Sequence, residues 1–166
     1  MGTIRITRGN ALDNAIRDIQ AINLKVGFFQ SAHYPDGTQV AEVAATQEFG
    51  DAAKHIPPRS FMRVTADERI TPWKILFTAG FRSVANGIRT IPEVYNGVGL
   101  QVQGDIQRTI SNIWSPPLAP ATIAARIRKA RGGYDTTSIT KPLVDTSLMI
   151  NSVSFVVNSK STDGEV

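Results

Sequence analysis

The chain has 166 residues, with 18 Lys and Arg against 14 Asp and Glu, a formal charge of +4 and no cysteine. Disulfides, thiolate chemistry and Cys-ligated zinc are therefore excluded, and no apolar run approaches the roughly 20 residues of a membrane-spanning helix. Charged residues make up 19% of the chain, below the ~25% of ordinary domains, which suits a subunit that buries its exterior in neighbours at least as well as a nucleic-acid binder. The length fits a single domain over 1–166. The opening Met1-Gly2-Thr3-Ile4-Arg5-Ile6 lacks the apolar core of a secretory signal, and Ile6 stands where a myristoylation signal has Ser or Thr.

In chain order, Leu12, Ala15, Ile16, Ile19 and Ile22 form a helical stripe over Asn10–Ile22 with Asn10 as N-cap, and Leu24–Gln30 alternates as a strand. Tyr34-Pro35-Asp36-Gly37 is a turn, because Pro presets φ and Gly accepts a positive one. Val40–Phe49 reads as a short helix, with Gly50 at its C′ position. A proline-rich arm over 50–66 follows. In it Pro57 and Pro58 remove two amide donors and favour extended backbone. The next helix is predicted from Pro72 through Trp73, Leu76, Phe77, Phe81 and Val84 to Asn86-Gly87, then a loop over 88–97. A third stripe, Val102, Ile106, Ile110 and Ile113, runs until Ser115-Pro116-Pro117. Residues 114–142 form a long irregular connection holding one helical piece, Pro120–Arg131, and an expected flexible run, Gly132–Ser138. Asp145 or Thr146 caps a turn through Leu148 and Ile150, and Val153–Val157 reads as a strand. These elements predict an α+β domain, with a small mixed or antiparallel sheet packed with about three to four helices and long irregular loops. Two strands make a poor sheet alone, so Val64, the 37–43 region or a neighbouring chain is expected to supply more.

No chemistry of catalysis stands out. His33 and His55 have no metal-ligand spacing and read as exposed loop residues. Gly97-Val98-Gly99 lacks the third glycine and preceding strand of a dinucleotide site and reads as a helix start. Asp145 reads as a cap, and no nucleophile-elbow serine occurs. Neither enzyme activity nor a cofactor is expected. Two segments invite a partner. Ile56, Pro57, Pro58, Arg59, Phe61, Met62 and Arg63 either wrap the chain's own core or reach into a neighbour, with Phe61 as anchor and Arg59 paired to a carboxylate. On the second reading Phe49 and Gly50 close the core while Pro57–Phe61 leaves it. Arg126, Arg128, Lys129 and Arg131 form a basic cluster suited to phosphates or to an acidic protein surface.

Several fragments, in order, carry a likeness to a known family: Val26-Gly27-Phe28 with Tyr34-Pro35-x-Gly37; Val40-Ala41-x-Val43-Ala44 leading to Glu48-Phe49-Gly50; Ile56-Pro57-Pro58-Arg59-Ser60-Phe61; Gly99-Leu100 with Asp105-Ile106; Pro116-Pro117-Leu118-Ala119 with Thr122; and Lys141-Pro142-Leu143-Val144-Asp145-Thr146-x-Leu148 with Ser152. With them the chain resembles the tail-completion or neck proteins of tailed bacteriophages, the gene-ten-like minor tail component family and its virion-morphogenesis relatives. Ser60 stands where that family often has proline and Ser147 where it often has glycine, so the turn after Asp145 is expected to form without glycine's positive φ. The resemblance implies a structural virion protein of the head–tail junction, made in the host cytoplasm. It would form a homo-oligomeric ring that meets head-completion or connector and tail-terminator or tail proteins, with no catalytic residues and no membrane contact. The alternative is a DNA-contacting morphogenesis factor working through 126–131.

Overall fold

Strand β1 (Ile22–Phe28) pairs antiparallel with β2 (Val153–Ser159), Ile22 opposite Ser159 and Phe28 opposite Val153. Directly opposed residues share a face, so Leu24, Val26 and Phe28 join Val157, Phe155 and Val153 as one apolar surface. The computed structural model describes residues 17, 19, 21–130, 139–140, 142–143 and 147–159. Of the helix predicted over Asn10–Ile22, only Arg17, Ile19 and Ala21 are described, all helical, and Ile22 already belongs to β1. The strand predicted over Leu24–Gln30 starts two residues earlier, because Ile22 still finds its partner on β2 while Phe29 turns away, its carbonyl accepting the Ala32 amide.

The helices described are α1 (Val40–Phe49), α2 (Phe61–Ala85), α3 (Ile91–Asn112), α4 (Pro120–Ala130) and α5 (Leu148–Asn151). With the two-stranded antiparallel sheet they make a small α+β fold. The extra strands expected from Val64 and from 37–43 are not formed. Val64 lies within α2, Val40–Val43 opens α1, and only a single His33–Gln39 bridge precedes it. The sheet is supported by helices on its apolar face.

α3 is the central element, packing against both strands, α2 and α5. Its buried stripe of Ile91, Val94, Val98, Val102, Ile106 and Ile110 extends the predicted one by three turns toward the N-terminus. The loop expected over 88–97 is thus confined to 86–90. Thr90 and Glu93 form a capping box, with the Glu93 carboxylate accepting the Thr90 amide at 2.7 Å, and Pro92 fits the first turn where no amide donor is required. Gly97-Val98-Gly99 therefore lies inside α3 and does not start it. Gly99 is small for a packing reason, since a Cβ there would collide with the Phe155 ring.

α2 begins eleven residues before the predicted Pro72, which sits inside the helix. Ser60 provides no side-chain cap. The buried Glu48 carboxylate of α1 does this instead, accepting the Met62 amide at 2.8 Å and the Arg63 amide at 3.3 Å, where the helix dipole also favours an anion. The arm over 50–66 is accordingly corrected. Its 61–66 part is helix, and residues 57–60 alone are a chain without regular structure leading into it.

Val40, Ala44, Phe61, Val98, Ile106, Ile110, Leu143, Met149 and Val153 form one core joining α1, α2, α3, α5 and β2. Burial of each large side chain there contributes about 1.5–3 kcal/mol. The predicted helical piece Pro120–Arg131 is α4, described over Pro120–Ala130. The Gly132–Ser138 run and the cap expected at Asp145 or Thr146 lie outside the described residues. Ser147, immediately before α5, takes φ 57°, so the turn uses the left-handed conformation that was expected to be avoided.

Candidate functional site: a basic groove between the proline arm and α4

Gly50 ends α1 with φ 77°, and a Cβ at this position would strike the Ile56 carbonyl and Pro58. From there the chain makes a closed loop. Asp51 and Ile56 exchange both backbone hydrogen bonds at 2.9 Å, and Asp51 Oδ1 accepts the amides of Ala53 and Lys54. These amides, the Lys54 amide first, hold the half-buried Asp51 carboxyl below the usual range. His55 takes φ 52° at the tip.

Arg59 then turns inward. It is 4% exposed, its amide donates to the Gln47 carbonyl, and its guanidinium donates from Nε to Pro116 O at 2.8 Å, from Nη1 to Gln47 Oε1 at 2.8 Å and from Nη2 to Pro117 O at 2.9 Å. A rigid planar fork is the side chain suited to three acceptors in one plane. Burial, and secondarily the nearby Arg126, depress the Arg59 pKa from its usual value. Arg126 on α4 donates to the carbonyls of Ile139 and Pro142, both at 3.4 Å.

These contacts enclose a groove of about 490 Å³, lined by Lys54, His55, Ile56, Pro57 and Arg59 from the arm, Gln47 from α1, Pro117, Leu118 and Ala119, Thr122 and Arg126 from α4, and Pro142. The two segments singled out in the sequence thus meet at one place. Part of each goes elsewhere. Phe61 is 0% exposed, its ring edge-on to Phe28 at 5.8 Å, so the expectation that it anchors in a neighbour is corrected. The same holds for Arg59, whose partners are its own chain's carbonyls and Gln47, with no carboxylate among the described residues. Pro58 is exposed beside Gly50, Met62 is half-buried against the core, and Arg63 pairs with Glu48 at 2.9 Å while its guanidinium lies 5.2 Å from the Phe49 ring centre. Phe49 does not close the core, being 69% exposed. Arg128 is exposed, and the side chains of Lys129 and Arg131 lie outside what is described.

A second groove, of about 600 Å³ and mostly apolar, runs between β1 and α2 over α3, with Leu24, Val26, Ile70, Trp73, Phe77 and Val98 among its walls. At its α2–α3 seam lies a buried carboxylate missed in the sequence. Asp105 accepts from Trp73 Nε1 at 2.9 Å and Gln101 Nε2 at 3.1 Å, with Arg108 Nη1 at 3.4 Å. The i, i+4 and i, i+3 spacing of Gln101 and Arg108 from Asp105 on one helix was the available signal. Tyr95 stands edge-on to Phe77 and Phe81 nearby, and burial raises its phenol pKa.

His33 and His55 are both exposed, and among the described residues no three His, Asp or Glu side chains gather as a metal-binding set. No described helix is long and apolar enough to cross a membrane. No protein-family model, no curated protein and no solved structure matches the chain.

Proposed function

We propose that the chain is a structural subunit of a tailed-phage head–tail junction, a neck or tail-completion protein that assembles with copies of itself and docks onto neighbouring head and tail components. One structural observation carries the subunit role: an apolar side of α2 that the described residues leave uncovered. This helix of 25 residues, about 37 Å long, packs chiefly on α3, and its other flank turns Ile70, Trp73 and Phe77 into the apolar groove, which Ile19 and Ile22 also line and where Ile70 stands 45% exposed. Contiguous apolar surface of this kind suits a chain that neighbours cover. The ordered fragments of the phage family supply the virion context, and rotational repetition of modest contacts would supply the avidity.

Sedimentation velocity over a range of concentrations tests this reading. Concentration-dependent association that Ile70→Lys weakens, with unchanged melting temperature, is the expected result. A chain that sediments as a monomer throughout, with Ile70→Lys indistinguishable from wild type, would contradict it.

A further inference from the structure

The groove between the arm and α4 gathers Lys54, His55, Arg59 and Arg126 at one opening, and its described lining contains no carboxylate. Asp51, three residues before Lys54, is already engaged, by two backbone amides and by Lys54 Nζ at 3.5 Å. Arg59 adds a fixed charge rather than a free fork, since its Nε, Nη1 and Nη2 each donate to a protein acceptor. Between the cations lie Ile56, Pro57 and Leu118. Cations interleaved with apolar side chains, at the edge of a stretch without regular structure, match an extended peptide bearing carboxylates among apolar residues. A nucleic-acid strand is matched less well, because the described lining has no Phe, Tyr or Trp to serve as a stacking platform. The chain's own charge of +4 also favours a partner of opposite sign over a second copy.

We propose that this groove docks an extended acidic segment of a partner polypeptide, held by Lys54 and His55 at the rim and by the field of Arg59 and Arg126 beneath. The inference rests on the reading of the chain as an assembly subunit and names the chemistry of one neighbour. Fluorescence anisotropy of the full chain with a short labelled peptide of Glu, Pro and Leu, its Gln-for-Glu counterpart, and a single-stranded oligothymidylate tests it. The Glu peptide is expected to bind, to weaken roughly tenfold or more as salt shortens the screening length, and to bind Lys54→Glu roughly tenfold more weakly, one attraction having become a repulsion. The Lys54 side chain is 72% exposed, so that variant keeps the fold even where Arg126→Gln disturbs it. Equal binding of the Gln peptide, indifference to Lys54→Glu, or binding of the oligonucleotide alone would each overturn the proposal. Lost peptide binding beside intact self-association would remove the acidic partner and leave the subunit reading standing.

Discussion

Replacing Phe61 by Ala separates two roles that the sequence leaves open, a hand held out to a neighbour or a piece of the chain's own core. In the structure the ring is fully buried, edge-on to Phe28 and within the cluster of Val40, Val98, Ile106 and Val153. Truncating a buried Phe removes its transfer energy and leaves a cavity, together about 3–5 kcal/mol, of which an aromatic pair accounts for about 0.5–1.5 kcal/mol. For a chain of this size each kcal/mol lowers Tm by about 2–4 °C, so Phe61→Ala should melt roughly 6–20 °C below wild type. Circular dichroism melts, with sedimentation at a temperature where both proteins are folded, are the assay. A variant that melts within about 2 °C of wild type but associates more weakly would refute the burial argument and restore Phe61 to a partner's surface.

Arg59→Ala should lose about 2–4 kcal/mol through unsatisfied acceptors at Gln47, Pro116 and Pro117, and Arg59→Lys should fail to restore it because one ammonium cannot serve three planar acceptors; urea denaturation and faster limited proteolysis near 116–119 are the readouts. Ser147→Gly should stabilise by about 0.5–1 kcal/mol, glycine accepting the φ of 57° that strains serine, read as a higher urea midpoint. Glu93 has its carboxyl held below the usual value of 4.5, chiefly by the Thr90 amide it accepts. A lowered folded pKa means a stabilising contribution that is complete above 4.5 and disappears as pH falls through the folded value. Glu93→Gln, which keeps an acceptor but does not titrate, should therefore flatten the pH dependence of the urea midpoint below about pH 4.5, and an unchanged slope would contradict the capping role.

Elements with a complete local signal were legible in the sequence. α1 with its terminal Gly50, the stripe through Ile110, α4 behind Pro120 and the last strand all carry their periodicity and their stop residues within a few positions. The misplacements came from signals that act over distance. Pro72 looks like a first helical residue, and nothing local announces that Glu48, in another helix, caps α2 eleven residues earlier. The start of α3 had a local mark, Thr90 with Glu93, overshadowed by Gly97 and by Gly99, of which only Gly99 owes its smallness to Phe155 across the fold. At the candidate site, the Ile56–Arg59 run and Arg126 were each singled out as partner-facing, but their meeting was not visible, because it depends on the Pro116 and Pro117 carbonyls that Arg59 reaches. Phe61 was misjudged for the related reason that an apolar residue after two prolines looks stranded until the helix it begins is known.

The proposed place of this chain in a virion is tested most directly by electron microscopy of particles assembled without it. Finished heads and finished tails that accumulate unjoined, and that join when the purified chain is added, are the predicted result. Normally joined, infectious particles in its absence would contradict it.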